Sequence, residues 1–427
     1  MLKNLLANRT AKNATWLIGG KVAQMAINFF IGLLTAKYLG PDNYGLINYA
    51  HAYTAFFFTL CTLGITSVIV KALVDEPQKE GEIVGTTLAL RAISSLLSAG
   101  VIVAIVAMVD ANDPTARAVV ALSALGMIFQ AADTFSYWFQ YRLQSKATAI
   151  ATLIAFAVGS LYKVYLIVGG KDVTLFALAT AVEYLLSGLL LFLLYFRFGG
   201  HRLSFSLARA GALLRRGGSF LLPALMVAIY GQTDRIMLKH MISETETGYY
   251  AVAVSLCTVW CFVLAAIIDS AAPTIMEIQK SDRALYEKRN RQLYAITFYL
   301  SVFVSLVFTL CADWVVPLLY GAEYAPTALP LKIVTWYTAF SYLGVARNIW
   351  VVCEDEGKQL KYIYLSAAVA NFLLNLVFIP LWGAAGAALA SLITQIVTVF
   401  VAPLFLPAMR KNTRMMVDAI LLRGVFK

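Results

Sequence analysis

Runs of about twenty apolar residues recur from one end of this chain to the other. A helix of roughly that length is what crosses the hydrocarbon of a bilayer. Charge is correspondingly scarce: 13% of the 427 residues are Asp, Glu, Lys or Arg, about half the share found in soluble domains. Too few charges remain to cover a soluble surface. The chain therefore reads as an all-α polytopic membrane protein.

The spacing predicts about 12 transmembrane helices. The first six cover roughly 14–36, 45–70, 83–109, 117–139, 147–169 and 173–196. The second six cover roughly 218–239, 248–272, 291–312, 328–352, 360–381 and 384–407. Turn-forming residues separate several of them: "GPDN" at 40–43, "ANDP" at 111–114, "GGKD" at 169–172 and "APTALP" at 325–330. The basic start of the chain lacks an A-x-A cleavage pattern. It reads as a short amphipathic stretch before an uncleaved first span.

Lys and Arg favour the cytoplasmic side of a membrane. With both termini inside, the inner segments hold 24 of the 34 basic residues, the outer loops hold 4, and six lie within spans. That asymmetry fixes the expected orientation and accounts for most of the +11 net charge without nucleic acid. The expected organisation is an N-terminal lobe (1–196), a basic cytoplasmic linker (197–217), a C-terminal lobe (218–407) and a basic cytoplasmic tail (408–427). Basic residues of the linker could lie along an interfacial helix facing anionic headgroups.

Several functions are excluded. No connection is long enough for a nucleotide-binding domain, and no G-x-x-x-x-G-K-[ST] loop occurs. The five cysteines sit in or beside apolar runs and imply neither a metal site nor a disulfide framework. His51, His201 and His240 are far apart in sequence, and no nucleophile motif accompanies them. Neither catalytic residues nor a metal or cofactor are expected.

The two halves echo each other. "YLGPDNYGLINYA" (38–50) follows the first span and "HMISETETGYYAVA" (240–253) follows the seventh. Aligning Gly45 with Gly248 also pairs Ala50 with Ala253, an offset of 203 residues. Paired halves are common in transporters, with the substrate site between the repeats.

"AKYLGPDNYGLINYA" (36–50), "YGQTDRIMLKHMISETETGYYAVA" (230–253) and "NFLLNLVFIPLWGAAGAALASLITQ" (371–395) resemble the polysaccharide-biosynthesis flippases. These are the Wzx-type O-antigen and capsule repeat-unit exporters of the multidrug/oligosaccharidyl-lipid/polysaccharide (MOP) exporter superfamily. The last motif is the most specific: an Asn–Leu–x–x–Asn helix, Pro380, then "GAAGAALA". The resemblance implies two six-helix lobes around a central cavity that opens alternately to each side. It also implies translocation of undecaprenyl-pyrophosphate-linked oligosaccharides across the bacterial cell inner membrane. Membrane lipids are the other expected partners, and the resemblance leaves room for a glycan polymerase complex.

Ten charged residues fall within spans: Lys21, Arg91, Asp133, Lys163, Glu183, Asp234, Arg235, Asp269, Lys332 and Arg347. Burying a charge at the bilayer centre costs from roughly 3 to over 10 kcal/mol, so such residues face a cavity or a partner. Lys21, Arg91, Lys163, Arg235 and Arg347 are the candidate cations for a pyrophosphate headgroup. Glu183 and Asp234 are candidates for coupling to H⁺ or Na⁺, and the sequence does not choose between the ions. Asp234 is also expected either to pair with a cation on another helix or to tie two helices together, and Arg235 either to face the cavity's outward mouth or to snorkel. Asp133, Asp269 and Lys332 lie near span ends, where snorkelling or capping serves equally well. Asn371 and Asn375 share a helix face and suit either sugar hydroxyls or interhelical hydrogen bonds. The small-residue face at 383–391 reads as a packing surface.

Two other functions fit the same framework less well. A drug or metabolite exporter of the same superfamily predicts a smaller, acid-centred cavity. A membrane-embedded glycan polymerase or ligase predicts a long outer loop over its active site, whereas the outer loops here are short.

Overall fold

The computed structural model describes the backbone of residues 9–426, and the side chains of 19–426 other than those of residues 21, 22 and 67. Helix is the regular element throughout these residues. The helices are α1 (Arg9–Cys61), α2 (Ile69–Asp75), α3 (Glu80–Val109), α4 (Pro114–Phe129), α5 (Thr134–Tyr141), α6 (Ser145–Val168) and α7 (Val173–Arg197). They continue with α8 (Leu207–Met241), α9 (Glu244–Thr258), α10 (Cys261–Ile278), α11 (Arg283–Tyr320), α12 (Ala328–Cys353), α13 (Leu360–Ile396), α14 (Ala402–Leu404) and α15 (Arg410–Ile420).

Eight helical segments among the described residues are long and apolar enough to cross a membrane. Large apolar side chains such as Leu97, Leu161, Phe303 and Leu310 point outward from them, as lipid-facing positions do. Single glycines divide two continuous helices. Gly40, at φ 69°, precedes Pro41 and splits α1 into two rods. A positive φ costs glycine little, and proline is preorganised for a first helical turn. Gly383, at φ 53°, splits α13 in the same way. Counted as rods, with α4–α5 and α9–α10 each taken as one broken span, the twelve expected spans all fall on helices, although the second breaks at 62–68 before α2.

Caps explain several boundaries. Asp113 accepts a hydrogen bond from the Ala116 amide ahead of Pro114 (2.9 Å), and Asp282 accepts one from Leu285 (2.9 Å). The second of these lets α11 start eight residues before the expected span. At 38 residues, α11 is about 57 Å long, nearly twice the hydrocarbon thickness. Its basic first turns therefore project beyond the apolar core.

The helices cluster into two units, 1–39 with 46–228 and 40–45 with 229–427. The division falls inside α8, beyond the segment expected as a linker. Residues 207–217 of that segment already belong to α8. Residues 198–206 lie as a strap along the first turns of α3. Gly81 and Gly85 allow this approach, since a Cβ at either would strike the Arg202 or Ser204 backbone. The Ser204 amide donates to Gly81 O (3.2 Å) and the Ser206 amide to Thr86 Oγ1 (3.1 Å). The first unit's core gathers Ile69, Leu73, Phe135, Trp138 and Tyr195.

In the second unit the core gathers Leu293, Tyr294, Leu343, Trp350, Met415 and Met416. The last two residues come from the expected tail. That tail folds as α15 against α11, with Asn412 Nδ2 donating to Tyr294 OH (2.7 Å) and Lys411 paired to Glu287 (2.6 Å). Its basic residues form one face of an amphipathic helix, and the other face packs into the core. The repeat also has a structural counterpart here. A Cβ at Gly45 would meet the Glu244 carbonyl, and one at Gly248 would meet that of Pro41. Thr245 donates to Asp42, again 203 residues away.

Candidate functional site

The second unit encloses a cavity of about 100 Å³ lined by Asp234, Arg235, Tyr250, Tyr337, Asn371 and Ser391, among others. Asp234, on α8, is 3% exposed. Its Oδ1 accepts from Asn375 Nδ2 (2.6 Å) and Asn371 Nδ2 (3.0 Å), both on the first rod of α13. Its Oδ2 accepts from Tyr250 OH on α9 (2.5 Å) and from Ser391 Oγ on the second rod of α13 (2.5 Å). Asn375 Nδ2 also donates to Asn371 Oδ1 (3.2 Å). The i, i+4 spacing places both amides on one helix face, and the turn at Gly383 returns the chain so that Ser391 completes the set. Glu246 holds that turn by accepting from the Ala384 amide (2.6 Å).

Of the two readings of Asp234, the tie between helices is the one the bonds support, and the cation partner is not found among the described residues. Among the described residues its partners are two amides and two hydroxyls. Arg235 points about 100° away, and its Nη1 donates to Gln232 on the same helix (2.8 Å). The result is two amide nitrogens and two hydroxyls around one formal negative charge, with Asn375 Oδ1 buried and unbonded beside them. The carboxylate, hydroxyl and amide oxygens gathered there are the atom types that hold a proton or a hard cation.

The other candidates are dispersed. The Lys21 side chain lies outside the described residues. Arg91 is buried in the first unit, where Nη1 donates to Thr134 Oγ1 (3.2 Å) and Nη2 lies 3.9 Å from Asp133. Arg347 is buried in the second, where Nη1 donates to Thr398 O (2.9 Å). Both guanidinium groups are packed among side chains of their own unit. Lys163 and Glu183 act on each other electrostatically from α6 and α7, both half-buried, without reaching ion-pair distance. Gly159 makes room for the Glu183 carboxylate. Lys332 pairs with Asp313 (2.6 Å), and Asp269 is exposed.

The first unit's own cavity, about 250 Å³, is lined by His51, Thr54, Ser123, Gln130, Thr180 and Tyr184 with apolar neighbours. No carboxylate lines it among the described residues. Among the described residues no three His, Cys, Asp or Glu converge as metal ligands. Tyr250 and Ser391 are the site residues that sequence reasoning missed. The available signal was a lone serine closing a run of glycine and alanine.

A profile of the polysaccharide biosynthesis protein family matches residues 10–279, more than half the chain. The chain belongs to this family. Curated protein sequences give no match. Among solved structures, the lipid II flippase MurJ in an inward closed conformation aligns with TM-score 0.71 and 14% identity, over 95% of this chain and 91% of that one. An inward-facing multidrug resistance MATE family transporter aligns with TM-score 0.69 and 14% identity, over 92% and 96%. A MOP superfamily transporter from Pyrococcus furiosus aligns with TM-score 0.64 and 13% identity, over 97% and 98%. This family member therefore has the fold of MOP superfamily transporters, a multi-pass membrane architecture.

Proposed function

We propose that the chain is a flippase moving undecaprenyl-pyrophosphate-linked oligosaccharide repeat units, as for O-antigen or capsule, from the cytoplasmic to the periplasmic leaflet of a bacterial inner membrane. Family membership supports the substrate class. Asp234 is the observation that carries the energetics. A carboxylate buried in a membrane-spanning helix, held among the described residues by neutral donors, is a site for a mobile counter-charge. In this reading H⁺ or Na⁺ enters beside Asp234, Asn371 and Asn375 and is released in another state of the cycle. Glu183, close to Lys163, is the second candidate for coupling. The pyrophosphate is attracted by the cations Lys21, Lys163 and Arg235, with Arg91 and Arg347 as buried supports.

Reconstitution into liposomes tests this. Flipping of a defined polyprenyl-diphosphate-linked sugar is followed under an imposed H⁺ or Na⁺ gradient. The expected result is flipping accelerated by one gradient in the wild type and insensitive to both in Asp234→Asn. Gradient-independent flipping by the wild type would remove the coupling role. One observation favours a second reading: a small acid-centred cavity is what a drug or metabolite exporter needs. Efflux of a lipophilic cationic dye in the same liposomes, without lipid flipping, would establish that alternative.

A further inference from the structure

A groove of about 840 Å³ opens in the first unit between α2 and the start of α8, lined by Val68, Lys71, Asp75, Arg215, Arg216 and Ser219, with Ala212 and Phe220 beside them. Two glycines build it. A Cβ at Gly64 would strike the Gly217 carbonyl, and one at Gly217 would strike Leu63 O. Backbone contact there fixes the spacing of the helix faces that diverge from it. Lys71 and Asp75 are i, i+4 on one face, as are Arg215 and Ser219 on the other.

The charges in the groove are unlike those around it. Beside it, the Glu76 carboxylate takes Arg209 in a bidentate pair (2.6 and 2.8 Å), and Glu82 takes the same guanidinium (3.3 Å). Glu80 is shared by Arg142 (3.3 Å) and His201 (3.0 Å). Nearby acids are thus already engaged, whereas Lys71, Arg215 and Arg216 have no ion pair among the described residues. Asp75 is the one carboxylate among the described residues lining the groove, which leaves three cations against one anion. Exposed apolar side chains flank the same place: Val74, Leu214, Phe220 and Leu222. Cations beside outward-facing apolar residues mark the membrane–water boundary, where stems lie in lipid and charged heads reach the headgroup level.

We propose that this groove binds the anionic phosphate headgroup of a membrane lipid. Arg215, Arg216 and Lys71 supply the charge-assisted hydrogen bonds, Ser219 donates a further one, and the acyl or prenyl chain runs along Phe220 and Leu222. Asp75 opposes the phosphate, and the three cations outweigh it. The groove is separate from the cations and acids considered for translocation, and its occupancy is measurable without any flipping.

Native mass spectrometry of the purified full-length protein tests it. The probes are phosphatidylglycerol, undecaprenyl diphosphate, phosphatidylcholine and inorganic pyrophosphate. Each surface cation is worth about 1 kcal/mol towards an anionic lipid, so Arg215→Ala with Arg216→Ala should weaken phosphatidylglycerol binding about 30-fold. Arg215→Lys with Arg216→Lys should keep most of the affinity, and unchanged thermal unfolding of both variants shows that they fold. Undecaprenyl diphosphate bound well above phosphatidylglycerol identifies a docking site for the translocated lipid's headgroup. Equal binding of the two identifies a site for bulk anionic lipid, and both results support the proposal. Unaltered phosphatidylglycerol binding in the double alanine variant would overturn it. So would phosphatidylcholine, or pyrophosphate free of a lipid chain, binding as tightly as phosphatidylglycerol.

Discussion

Asp234 shows how one residue can be replaced without dismantling its surroundings. In Asp234→Asn the remaining carbonyl oxygen can still accept from Asn371 and Asn375, while the new NH₂ donates to Tyr250 and Ser391, whose hydroxyls also accept. We expect a folded protein, less stable by about 1–3 kcal/mol because charge-assisted bonds become neutral ones, and a loss of gradient-driven flipping. Asn375→Ala removes the 2.6 Å bond to Oδ1 and leaves the acid one amide short. Its cost should be similar, read as a lower melting temperature in detergent, with Asn375→Gln recovering part of it. Outside the spans, Glu76 is held down to about 2 by the Arg209 guanidinium first and Lys79 second, from its ordinary 4.5. Because the folded value is depressed, this contribution is complete above pH 4.5 and fades as the pH falls through about 2. Glu76→Gln should abolish that pH dependence, measured as protease access to the 198–206 strap.

At the level of elements, close approach depends on the absence of side chains. Gly248→Ala would drive a methyl group into the Pro41 carbonyl, where the second neighbour is backbone and cannot rotate away. Overpacking of this kind costs about 1–3 kcal/mol or more. The expected outcome is a lower melting temperature for Gly248→Ala and for Gly45→Ala, whereas Gly231→Ala, with open space around it, should match the wild type. The helix α15 illustrates a different dependence. Met415 and Met416 complete the second unit's core, so truncation after residue 408 should leave that core exposed and lower the yield of folded protein.

For the whole molecule, the spans were legible because twenty apolar residues have few alternatives, and the repeat because Gly45 and Gly248 sit at matching turns. What the sequence could not show was which distant helices meet. Asn371 is 137 residues from Asp234, and Ser391 is 157 away. Periodicity ranks faces within a helix but does not choose a partner for them. Asp234 therefore reads equally as half of an ion pair or as a tie between helices until Tyr250, Ser391 and the two asparagines are placed around it. Arg91 and Arg347 looked like open-cavity cations for the same reason. The starts of α8 and α11 were missed because their first turns are charged, and capping and tertiary packing rather than apolarity extend those helices. The strap was missed because Gly81 and Gly85 reveal their purpose only when Arg202 and Ser204 lie against them.

The single-residue turn at Gly383 has a practical consequence for mapping sidedness. Span 11 passes into span 12 with no loop, and the Glu246 carboxylate occupies the space a side chain at 383 would need. An epitope or reporter inserted there would prise the carboxylate off the Ala384 amide and pull Ser391 away from Asp234. Its readout would then report a damaged protein rather than a compartment. The loop at 169–172, where Gly170 has open space, is the better place for such a tag.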